Sequence, residues 1–137
     1  MSKAVWLIAG LWAHAACAAD PWLTITGDVA RPTLDTVQVN PVAVDRSSES
    51  RTLEIRVNRA QPRTNWDGVP YRSYTAHVRI RCEERRGEYL SLRMFTEPLW
   101  AGTVQEADYA DPRPPLRFRD MHPNPTERII RAACAGA

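Results

Sequence analysis

Apolar and polar residues alternate with a period of two through the middle of the chain, and that alternation locates its strands. In residues 51–59, RTLEIRVNR, the apolar Leu53, Ile55 and Val57 interleave with Thr52, Glu54, Arg56 and Asn58. Successive strand side chains point to opposite faces, so this run predicts an antiparallel strand with one face buried and one wet. Residues 72–82, RSYTAHVRIRC, repeat the pattern more strongly. Tyr74, Ala76, Val78, Ile80 and Cys82 share one face, and Ser73, Thr75, His77, Arg79 and Arg81 share the other. A charged turn at 83–87, with Gly87 free to take a positive φ, then reverses the chain. Residues 88–96 return with Leu90, Leu92 and Met94 inward, which predicts a hairpin.

The flanking segments carry weaker patterns. Residues 20–33 read as extended, with Trp22, Leu23 and Ile25 apolar, room for a short first strand, and a turn at Gly27-Asp28. Residues 34–45 are rich in β-branched side chains but broken by Asn40-Pro41. Because proline cannot donate to a ladder, they predict an edge strand with a bulge, or two short extended pieces. A polar turn follows at 46–50. Pro62, Asn65-Trp66-Asp67-Gly68 and Pro70 make 60–70 a loop. Residues 97–114 are irregular, with a short strand available at 102–105, and Leu116 and Phe118 alternate with Arg117 and Arg119 as a last strand.

At the end of the chain the period changes. Asn124-Pro125-Thr126-Glu127 predicts a helix start, with Asn as N-cap, Pro first in the helix and Glu third, where it can cap reciprocally. In the short helix that follows, Ile130 and Cys134 share a face, with Ile129 and Ala133 beside them. So short a helix is marginal in water and has to be held by something else.

Residues 1–18 predict where the protein goes. Lys3, the apolar run 4–13 and Ala16-Cys17-Ala18 form an export signal with a cut near Ala19, and the run is too short to span a membrane. Cleavage would remove Cys17. The alternative is lipid attachment at Cys17, disfavoured by His14 in a slot that normally holds a Leu-like residue. Either way Cys82 and Cys134 are left as an even pair in an oxidising compartment, which predicts one disulfide. That bond closes a loop of 53 residues counting both ends, which is about 4 kcal/mol in the chain-entropy model. It ties the helix to the apolar face of the sheet. The expectation is a single mainly-β α+β domain over 19–137, with an antiparallel sheet of about five to six strands and one C-terminal helix tethered to it.

Charge then narrows the choice of partners. The only lysine, Lys3, lies in the export segment, which leaves 17 arginines against 16 acids. Acids and arginines are interleaved, so no one-sided basic face is written into the sequence and nucleic acid is not an expected partner.

Residues 34–134 resemble the surface-adhesin E family of small exported bacterial proteins. The carriers are the VQVNPVAV opening, PYRSYTAHVRIRC ending in cysteine, the PLWAG segment and the ending RIIRAAC. The resemblance implies an antiparallel sheet with a disulfide-tied C-terminal helix. It also implies a binding module for host extracellular-matrix or serum proteins, able to form a homodimer, in the periplasm or at the outer cell surface.

No catalytic residues are assigned. His77 and His122 lack the close ligand spacing of a zinc site, the glycines do not cluster as in a phosphate loop, and no nucleophile elbow is present, so no metal, cofactor or enzymatic activity is expected. Ser73 and His77 share a strand face but stand roughly 13 Å apart at strand rise. The candidate binding surface is Trp66 and Trp100 in loops with Arg56, Arg79 and Arg81 on the outward row. The tryptophans either anchor a ligand or lid the ends of a small core. The arginines either face an anionic ligand or pair with Glu54 and other carboxylates in solvent.

Overall fold

The computed structural model describes residues 20–135; the expected export signal with Cys17 lies outside them. Six strands pair antiparallel in sequence order: β1 Leu23–Thr26, β2 Thr36–Arg46, β3 Ser50–Thr64, β4 Pro70–Arg81, β5 Arg86–Phe95 and β6 Val104–Asp108. A turn at Pro98–Trp100 separates β5 from β6, and one helix, α1 Thr126–Cys134, ends the fold. Val39, Ile55, Ala76 and Leu92 are register partners across four strands and form the central row of the buried face. Gln38, Arg56, Thr75, Arg93 and Glu106 are partners in the same way on the opposite face.

The helix packs against β2, β3 and β4 on the buried face. Ile129 and Ile130 are 0% and 2% exposed, and burying each is worth about 1.5–3 kcal/mol. The Cys82–Cys134 disulfide is formed, with the Cα atoms 5.7 Å apart, inside the usual range for such bonds. It joins the end of β4 to the end of α1, as the sequence predicts, and Arg128 Nη1 adds a hydrogen bond to the Ile25 carbonyl at 2.6 Å.

Several local expectations are corrected. The 34–45 segment is no simple edge strand, because β1 pairs with β2 over Val37–Val39. Pro41 is tolerated because it falls beyond β1, in a bulge where residues 41–44 face the single residue Leu53. The 60–70 loop is shorter than expected. A matching bulge, residues 59–62 opposite Arg72, absorbs Pro62 and lets β3 run on to Thr64. On β5 an irregularity places Tyr89 opposite Val78 and Ser91 opposite His77. The extra residue flips the phase, so Tyr89 points inward and Leu90 does not. Leu116 and Phe118 are buried, yet their segment is an extended strap joined to β5 by a single bridge, Glu88 to Pro115. In the 82–85 turn the positive φ belongs to Arg85, at 51°, and not to Gly87. The helix starts one residue late. The Asn124 Oδ1 accepts from the Thr126 N–H at 3.0 Å, and Glu127 pairs with Arg85 at 2.7 Å in place of capping.

Candidate functional site

The five sequence-predicted surface residues fall into three places. On the outward face the Arg56 guanidinium lies between two indoles, 4.3 Å from the Trp22 ring centroid and 4.2 Å from that of Trp100. Its Nε donates to Gln38 Oε1 at 2.6 Å, and Gln38 Nε2 donates in turn to Thr24 Oγ1 at 2.9 Å. Desolvation holds Arg56 below its ordinary pKa, against the pull of Asp20. Trp100 is fixed from the other side, its Nε1 donating to the Tyr74 carbonyl at 3.1 Å. Leu99 and Trp100 both take left-handed φ values, 53° and 61°, a costly conformation for residues with a Cβ. Buried side chains impose it: Asn58 Oδ1 accepts from the Leu99 N–H and Ser73 Oγ from the Trp100 N–H, each at 2.9 Å. Arg56 and Trp100 thus close on each other and on the sheet. Arg79 and Arg81 stand further along the same face and share one carboxylate, Glu88, at 3.4 and 3.6 Å.

Trp66 belongs to the other side of the molecule. It sits in the β3–β4 turn, where Asn65 Oδ1 accepts from the Asp67 and Val69 N–H groups at 2.9 Å and Gly68 takes φ 78°. Asn65 Nδ2 reaches Met94 Sδ at 3.1 Å, anchoring the turn to the inner face. Trp66 therefore projects with 53% of its surface exposed. One side of its ring packs near Tyr89 and Tyr109, with centroids 5.6 and 5.7 Å away.

Beneath Trp66 the inner face is open, because α1 covers only the β2–β4 side. The result is a cleft of about 570 Å³ between the sheet, the β3–β4 turn and the 114–119 strap, within the size range of small-ligand sites. Its aromatic lining is Trp66, Tyr71, Tyr74, Tyr89 and Phe118. The Tyr74 and Tyr89 hydroxyls bond to each other at 2.8 Å, and burial pushes both well above the usual phenol pKa, so they stay neutral. Four arginines line the cleft, Arg59, Arg63, Arg117 and Arg119, and no carboxylate does. Arg59 faces Asp35 and Arg63 pairs with Asp120, while Arg117 and Arg119 are in no ion pair among the described residues. A second hollow, about 680 Å³, lies across the strap, but its Arg85 and Arg86 are already paired with Glu127 and Glu84.

The cleft is the candidate site, and of the five residues named from sequence only Trp66 lines it. Tyr74 was legible as an inward residue. Tyr89 was hidden by the phase flip on β5, and Arg59, at the end of the predicted 51–59 strand, carries a charge that does not mark it as inward. His77, which bonds to Glu54 Oε1 at 3.2 Å and Ser91 Oγ at 3.3 Å, stands on the outward row, and the described residues hold no group of three or more His, Cys, Asp or Glu side chains able to bind a metal ion.

The family model described as surface-adhesin protein E matches residues 22–135, most of the chain. The chain belongs to this family. Membership in the surface-adhesin protein E family implies an exported protein with an adhesin-like role. No helix among the described residues is long and apolar enough to cross a membrane. No curated protein and no solved structure matches the chain.

Proposed function

We propose that this protein is an exported, non-enzymatic binding module that contacts extracellular proteins at the outer cell surface, after removal of residues 1–18. Membership in the surface-adhesin protein E family is the observation that carries this reading. The half-exposed Trp66 on a braced turn supports it, since indoles presented rigidly beside a cleft are favoured interface anchors.

The test is saturable binding of the oxidised domain to immobilised matrix and serum proteins, together with surface labelling of intact cells. Trp66→Ala is expected to weaken binding by about tenfold or more while leaving the domain folded. If the protein escapes labelling on intact cells and is released by osmotic shock, it is a periplasmic structural or inhibitor-like protein, and the adhesion reading fails.

A further inference from the structure

One buried side chain in the cleft has fewer partners than donors. Arg59 is 5% exposed, and a guanidinium carries five N–H donors that a buried site must satisfy. It makes one hydrogen bond, a long one of 3.4 Å from Nη2 to the Arg119 carbonyl. Its Nε is 3.2 Å from Asp35 Oδ1, an ion pair without a well-aligned hydrogen bond, and the same oxygen accepts the Ala60 N–H at 2.8 Å. The nearby Arg72 shows the contrast, with two hydrogen bonds of 2.7 and 2.9 Å to backbone carbonyls. Nη1 donates to no group among the described residues, and an acceptor brought by a ligand into the cleft would give it one. The charge of Arg59 reaches the tyrosine floor, opposing the effect of burial on Tyr71, Tyr74 and Tyr89.

We propose that the cleft beneath Trp66 binds a small aromatic carboxylate, with the carboxylate on the Arg59 guanidinium and the ring against the aromatic walls. The proposal rests on the reading of this cleft as the binding site and names its ligand class. The walls select a ring, since apolar and aromatic side chains outnumber other groups around the tyrosine floor. Because Nε faces Asp35, the guanidinium grips a planar anion end-on through its two terminal nitrogens. Arg117 and Arg119 at the rim add attraction that weakens with salt.

Isothermal titration of the oxidised domain with indole-3-acetate tests the proposal, beside the neutral indole-3-ethanol and ringless acetate. Saturable one-site binding of indole-3-acetate is expected, with both comparison compounds at least about tenfold weaker. Arg59→Lys keeps the charge beside Asp35 but loses the fork and is expected to weaken binding by about tenfold. Trp66→Ala, at an exposed position, is expected to weaken it several-fold. Equal affinity for the acid and the alcohol, no saturable heat at millimolar ligand, or wild-type affinity in both variants would overturn the proposal. Should Arg59→Lys fail to fold, the acid–alcohol comparison and Trp66→Ala still decide. The titration contains no matrix protein, so its failure is separable from failure of the adhesion reading.

Discussion

Asn58 shows how much a single polar residue can organise. It is fully buried on the face that the alternation marks as wet. Its Nδ2 donates to the Pro32 and Leu34 carbonyls at 3.0 and 3.2 Å, and its Oδ1 holds the Leu99 N–H. One amide thereby ties the segment before β2 to the left-handed Leu99–Trp100 turn. Asn58→Ala strands all three groups and is expected to cost about 2–4 kcal/mol, measured as a lowered urea midpoint. An unchanged midpoint would show that water replaces the amide and that the turn is held elsewhere. Arg56 and Trp66 were both named from sequence as candidate binding-surface residues, one on the outward row facing an anionic ligand and one as a loop anchor. The fold gives them opposite circumstances. Arg56 is closed between Trp22 and Trp100, and Trp66 is presented on a turn.

At the scale of elements, bulges set both the register and the site. Extra residues at 41–44, 59–62 and Leu90 displace the alternation that sequence reading relies on. The second of them begins at Arg59, which keeps the inward phase of Leu53, Ile55 and Val57, and the third turns Tyr89 inward. Gly87 lies across from Ile80 on β4 and under the strap. A Cβ there would stand 2.8 Å from Ile80 Cδ1 and 2.9 Å from Leu116 Cδ2, so what the position requires is space. Gly87→Ala is expected to destabilise by about 1–3 kcal/mol through overpacking, and the strap amides should lose hydrogen-exchange protection first. Uniform loss of protection across the sheet would place the strain elsewhere.

For the whole molecule, the disulfide decides whether one sheet and one short helix make a domain. Nine residues of helix cannot persist alone in water, and the bond fixes α1 over β2–β4 while leaving the inner face beyond it open. The double variant Cys82→Ser/Cys134→Ser is expected to lose about 4 kcal/mol on chemical denaturation. The helix amides should exchange before those of β3 and β4. Loss of helix and sheet protection together would show that the bond stabilises the sheet directly.

The sequence by itself determined the strands with clean alternation, the hairpin, the terminal helix and the cysteine pairing. Each of these depends on a short-range period or on counting, and a period survives in a linear string. Tertiary structure decided what non-local contacts control: the bulges, the fate of the 116–118 run as a strap, and the division of the tryptophans between two faces. Arg59 and Tyr89 lie far apart in the chain and meet at one cleft only because β3, β4 and β5 pair with their irregularities in register. The β5 irregularity changes which face Tyr89 takes without changing its local composition, so no local pattern could have placed the two together.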